Sequence, residues 1–253
     1  MPETYYIGQG RVAISDLDAN SNPGKLLFVG NVPDAKLSFN VERIEHFEAQ
    51  SGLRRQDRRR VKQISGELNI TLEEVTKDNL ATLFWGSPFA RGSGNIAAEV
   101  MPSGLIAGDT VMLKNSKITA TSVVIKDSAG APVTVAPADY TVDAIYGTIT
   151  FNKVTGYTQP FKVNYSYEAG ATVVPMVTSL GNERFFRFHG LNAGNDATTN
   201  IIVELYRVVF DPVQNFALLN EEFAKFELKG TVLADNTKPA SSELGQLGRI
   251  ILL

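Results

Sequence analysis

The residues able to do chemistry are few, and their spacing is poor for it. There is no cysteine, which excludes thiol nucleophiles, zinc–thiolate sites, iron–sulfur clusters and disulfides. Two histidines remain, His46 close to Glu45 and Glu48, and His189 before Gly190. Neither stands in a catalytic motif, and a structural role is expected for each. Nucleophilic hydrolysis needs a hydroxyl, a base and an orienting group, and no Gly-x-Ser-x-Gly segment supplies them. The adjacent carboxylates Glu73-Glu74 and Glu221-Glu222 would point to opposite faces of a strand, which makes them poor acid–base dyads. Residues 16–24 carry Asp16, Asp18, Asn20 and Asn22 at alternate positions, as a calcium loop does. The sixth-position glycine is replaced by Ser21 and the closing glutamate by Leu27, so a turn-rich loop is the better reading. No phosphate-binding loop or dinucleotide fingerprint follows a strand. The sequence thus offers no catalytic, cofactor-binding or metal-ligating set, and an enzyme is not expected.

The sharpest local feature is Arg54-Arg55-Gln56-Asp57-Arg58-Arg59-Arg60, followed by Lys62. Residues 54–62 carry net +5, which leaves −8 for the rest of a chain whose net charge is −3. Arginines on phosphates, salt bridges to an acidic protein surface and a solvated loop are the competing readings. The stretch lacks interleaved aromatics and the remainder is acidic, which favours protein contact. A basic tip on an acidic body suits head-to-tail association of identical copies.

The elements that must position these residues are mostly strands. The chain has 253 residues, 43% hydrophobic and 20% charged, a globular composition with room for one large or two smaller domains. Residues 26–30 form a short strand. Over 35–47, Leu37, Phe39 and Val41 alternate with Lys36, Ser38, Asn40 and Glu42; over 61–74, Ile64, Leu68, Ile70 and Leu72 alternate with Gln63, Ser65, Glu67, Asn69 and Thr71. Together they predict a long β-hairpin with a loop over roughly 48–60. Thr76 or Asp78 then caps a short helix with Leu80, Leu83 and Phe84 on one face, Gly86 at the left-handed C′ position and the lone Trp85 as a core anchor. Further strands are expected over 183–189, 199–210 and 222–233, the last with Phe226, Leu228 and Val232 inward and Lys225, Glu227, Lys229 and Thr231 outward. Asp211-Pro212 predicts a helix carrying Val213, Phe216 and Leu219. The apolar end, Ile250 to Leu253, is expected to dock on this chain or a neighbour. No run of about 18 apolar residues crosses a membrane. The start has neither the basic nor the apolar region of a secretory signal, so folding in the cytoplasm of the producing cell is expected.

Residues 87–103 are rich in Gly, Ser and Pro and read as a linker. Short strands at 110–114, 118–126, 132–135, 139–143, 145–151 and 160–167 suggest a small β-sandwich module. The expected class is therefore mainly β: a domain of residues 1–103 and 170–253 with a long hairpin and short helices, split by an inserted Ig-like module over 104–169.

The order of parts resembles the tail tube protein, or major tail protein, of long-tailed bacteriophages. The likeness rests on the 35–47 and 61–74 hairpin, the helix from Thr76 to Gly86, and the Phe185-Phe-Arg-Phe-His-Gly-Leu-Asn-Ala193 segment leading to strands 199–210 and 222–233. It covers about 1–100 and 171–253. The inserted region resembles Ig-like modules of phage structural proteins, although insertion mid-chain departs from the commonest arrangement. The resemblance implies a virion protein, made in the host cytoplasm, that assembles as hexameric rings stacked into a hollow tube. Its hairpins would close into a β-barrel around a lumen that conducts DNA during ejection without binding it specifically. Implied partners are further copies of the chain and the tail tip or baseplate, tape measure and tail terminator proteins, with no membrane and no cofactor. A non-contractile, siphovirus-like tail is preferred, because an outer module would obstruct a close-fitting sheath. Arg54, Arg55, Asp57, Arg58, Arg59 and Arg60 are the candidate ring-to-ring contacts. Ser38, Asn40, Glu42, Gln63, Ser65, Glu67, Asn69, Thr71 and Glu227 are the candidate lumen-lining residues. Lys36, Lys225 and Lys229 count against a uniformly acidic wall unless they pair with carboxylates across strands. The rival reading is a carbohydrate-binding or adhesion module, motivated by the inserted sandwich and by Tyr140, Tyr146, Tyr157, Tyr165 and Tyr167.

Overall fold

Alternation of apolar and polar side chains dominates the sequence, and the chain folds accordingly as a mainly β protein. The computed structural model describes residues 6–50, 52–194, 200–240 and 243–253. The amino-terminal residues read for a targeting signal, and residue 199 of the expected 199–210 strand, lie largely or wholly outside them. Two compact units divide the chain, one of residues 1–88 and 174–253 and the other of residues 89–173.

The first unit begins with β1 (Gly8–Asp16), β2 (Leu27–Phe28), β3 (Asp34–Phe47) and β4 (Gln56–Leu72). A short helix, α1 (Lys77–Leu83), follows. Thr76 caps it by accepting from the Asn79 amide at 3.1 Å. The helix closes in a Schellman arrangement, with the Gly86 amide donating to the Ala81 carbonyl. The left-handed residue is Trp85 (φ 51°) rather than the expected Gly86. Gly86 is needed for space instead, since a Cβ there would meet the Pro175 carbonyl oxygen at 1.9 Å. Trp85 is fixed as an anchor, its indole donating to the Phe210 carbonyl at 2.8 Å.

In the second unit, the expected linker at 87–103 is largely strand: β5 (Phe89–Arg91) and β6 (Gly94–Val100). The next strands are β7 (Thr110–Met112), β8 (Val124–Lys126), β9 (Tyr140–Asp143), β10 (Thr148–Phe151), β11 (Lys162–Tyr167) and β12 (Ala171–Val173). Two three-stranded sheets, β7-β10-β9 and β6-β11-β8, share a core that includes Ile125, Ile149, Phe151, Phe161 and Val163. β12 pairs with β5, so that Phe89 faces Val173 where the chain enters and leaves. Two expected strands shrink. Within 118–126 a 3-10 turn at Ala120–Ser122 precedes β8, and 132–135 keeps only an isolated bridge from Thr134 to Lys126. Buried in this unit, the Tyr165 hydroxyl donates to Glu99 at 2.6 Å, and desolvation with that bond pushes its pKa up to about 12.

The first unit resumes with β13 (Glu183–Asn192), β14 (Ile201–Phe210), β15 (Phe226–Leu233) and β16 (Gly248–Leu252). Its antiparallel sheet runs β2-β1-β13-β14-β15-β4-β3, with β16 also on β14. One face packs against Leu83, Phe84, Val213 and Phe216, and Phe216 stacks on Phe226 at 4.7 Å between centroids. No helix forms at 213–219. The Val213 amide is spent on the Leu83 carbonyl and the Asp211 amide on the Lys229 carbonyl, and Leu219 is 95% exposed. Backbone donors committed to distant elements cannot also build a local helical ladder.

Candidate functional site

The core fixes which face of the hairpin is outward. Leu68, Ile70 and Leu72 of β4 and Phe226, Leu228 and Val232 of β15 are buried, so the alternate residues must face away. Strand register assembles those residues into rows. Glu227 lies opposite Thr71, which lies opposite Asp34; Lys229, Asn69 and Lys36 form the next row, and Thr231, Glu67 and Ser38 the third. Beyond the end of β15 the hairpin continues alone with Ser65 opposite Asn40 and Gln63 opposite Glu42. All nine candidate lumen residues therefore share one sheet face. Asp34, which alternation alone did not single out, joins them by register.

This face is polar and of mixed charge. Lys36 pairs with Asp34 at 2.7 Å along its own strand, not with a carboxylate across the ladder. Lys62 reaches Glu42 at 2.6 Å. Lys225 and Lys229 form no ion pair among the described residues, and they line a cavity of about 310 Å³ with Thr71, Asp211, Gln214 and Glu227. Side by side, these cations and carboxylates give neither a basic nor an acidic wall.

The arginine run is placed differently from expectation. β3 ends at Phe47 and β4 already starts at Gln56, not after residue 60, so Arg58, Arg59 and Arg60 stand in the ladder opposite His46, Glu45 and Ile44. The strand was not legible there because the run has no apolar alternation; backbone pairing and cross-strand ions hold it instead. Arg59 lies 3.4 Å from Glu45, and Asp57 lies 2.5 Å from His46 Nδ1. Arg54 occupies the left-handed region (φ 45°) in the loop, with Arg55 beside it. A bulge leaves Lys62 with no β3 residue opposite it, between the Glu42–Gln63 and Arg43–Val61 pairs. The six candidate contact residues thus cluster at one end of the hairpin, on both of its faces.

The remaining chemical candidates have structural partners. Asp18 accepts from the amides of Asn20 and Asn22, both at 2.8 Å, which holds its pKa below the usual carboxylate value and satisfies the loop internally. Glu73 and Glu74 both bind Asn31, through its side-chain amide and its backbone amide. His189 lies within β13, not at its end, edge-on to Phe28 at 5.6 Å. Among the described residues no group of His, Asp or Glu is placed to hold a metal ion, and no helix is long and apolar enough to cross a membrane. In the second unit Tyr165 is buried, and Tyr140, Tyr157 and Tyr167 pack against the core; Tyr146 is exposed.

A family model described as "Protein of unknown function UCP028589" matches residues 5–251. No curated protein matches the chain.

Proposed function

The chain belongs to that family, and from its unpaired hairpin edges we propose that it is a self-assembling structural subunit: a phage tail tube protein forming hexameric rings that stack into a hollow DNA conduit in the virion. The observation that carries the reading is the free hairpin. β15 pairs with β4 only from Gly66 to Leu72, so residues 56–65 of β4 have β3 as their sole neighbour among the described residues, and β3 is the sheet's last strand. Two unpaired edges on a strand pair of this length are a liability in a monomer. Closing the sheet between copies would satisfy both. Phe39, Val61 and Ile64, each more than half exposed and on one face of the pair, add apolar surface that a neighbouring copy would cover.

The opposite face, polar and of mixed charge over residues 34–42 and 63–71, fits the wall of a conduit there. Its mixed charges would neutralise few phosphates, and each phosphate captured would slow passage. The adhesion alternative is weakened by the tyrosines, since four of its five motivating residues pack in or against the second unit's core. Negative-stain microscopy of the purified chain is expected to show rings or tubes with a central channel. A strictly monomeric chain at high concentration, even with a nucleating tail tip present, would overturn the reading.

A further inference from the structure

The loop between β14 and β15 carries an apolar shelf with an acidic margin. Leu218, Leu219 and Phe223 on it are 85%, 95% and 90% exposed, beyond what a solvated loop needs. Phe223 shares an open concavity with Glu73, Glu221, Glu222 and one cation, Lys225. Glu73 is engaged by Asn31, whereas Glu221 and Glu222 have no ion-pair partner among the described residues. The surface therefore offers apolar area and two uncommitted carboxylates side by side.

The far end of the hairpin has the complementary chemistry. Ile44, directly opposite Arg60 and on the face of Arg58 and Arg60, is 58% exposed, Leu53 in the loop is 66% exposed, and Arg54, Arg55, Arg58 and Arg60 form no ion pair among the described residues. Guanidinium forks match carboxylates bidentately, and flanking apolar contact would exclude water from such pairs. The two surfaces cannot meet within one copy. Glu73 directly follows β4, and β4 separates it from the arginine end by about 50 Å at strand rise.

We propose that the basic hairpin end of one copy docks on the Phe223 shelf of the next, with Arg58 and Arg60 facing Glu221 and Glu222. The contact joins different surfaces of identical chains, so it repeats head to tail instead of closing on itself. It rests on the self-assembly reading and adds the surface that receives the hairpin.

The absence of cysteine gives a direct test. Leu53→Cys combined with Phe223→Cys should yield, on mild oxidation of assembled protein, a disulfide ladder extending beyond dimers, whereas either single variant can reach dimers at most. A charge-exchange cycle is the second arm. Glu221→Arg with Glu222→Arg should raise the concentration needed for assembly about tenfold, and adding Arg58→Glu with Arg60→Glu should restore it. The substituted side chains are exposed, so unchanged melting temperatures would verify folding. No ladder, or no restoration, in preparations that still form rings or tubes would overturn this contact and leave the self-assembly reading standing. A native chain that never associates would overturn both.

Discussion

The Arg249 guanidinium lies 2.7 Å from the Glu204 carboxylate and ties the carboxy-terminal strand to β14. Arg187 holds the other oxygen of Glu204, also at 2.7 Å. Burial does little for β16 itself, because Ile250 and Leu252 are 64% and 71% exposed. The strand is held by its backbone ladder and by this ion triad. Glu204→Ala would leave two guanidiniums facing each other over a buried site. It should cost about 3 kcal/mol in denaturant unfolding, the lower end for breaking a buried pair, because both arginines keep some solvent contact. Arg249→Ala should cost less and raise hydrogen exchange selectively in residues 248–252. Uniform exchange across β14 and β16 would show that the triad does not fasten the strand.

His189 gives the fold a pH dependence of defined sign. Its Nε2 is buried without a hydrogen-bond partner among the described residues. Desolvation, and then repulsion from Arg187 and Arg11, holds its pKa below the ordinary imidazole value, against an opposing pull from Glu204. The folded chain therefore takes up this proton less readily than the unfolded chain. The stabilising contribution of the neutral ring is complete above about pH 6.5 and is lost as pH falls through the lowered folded value. Melting temperature should drop between pH 7 and pH 5, and the drop should shrink in His189→Gln. Asp235 and Glu183, whose pKa values are lowered by hydrogen bonds from Thr237 and Arg207, lose their contribution at more acid pH. An equal slope in the native chain and in His189→Gln would reject the assignment.

The second unit should be separable. Phe89 and Val173 face each other across a ladder, so its two ends already lie a strand spacing apart. Replacing residues 89–173 by a short Gly-Ser link should leave the first unit folded, with a cooperative melt and strand-type circular dichroism. Residues 89–173 alone should also melt cooperatively, on a core of Phe151, Phe161 and their neighbours. On the proposed function the excised chain still forms hollow tubes. Failure of either piece to fold would show that the units depend on one another.

Much of this architecture is written locally. The alternation of Leu68, Ile70 and Leu72 with Glu67, Asn69 and Thr71 decides which side of β4 is wet, because successive side chains on a strand point to opposite faces. Thr76 marks its helix start for an equally local reason, a side-chain oxygen within reach of the Asn79 amide. Pattern reading misplaced the arginine strand, since Arg58 to Arg60 offer no apolar period. It also predicted a helix over 211–219, where the apolar spacing is helical but the Asp211 and Val213 amides are spent elsewhere.

Local alternation establishes the β class and the polar face of the hairpin, and composition places the positive charge between residues 54 and 62. Tertiary pairing puts Glu227 of β15 in one row with Thr71 and Asp34, and makes the arginines extend a ladder that, among the described residues, no third strand covers. The reason is that a period of two fixes the face of each strand, while which strands become neighbours, and in what register, depends on long-range pairing that no local pattern encodes.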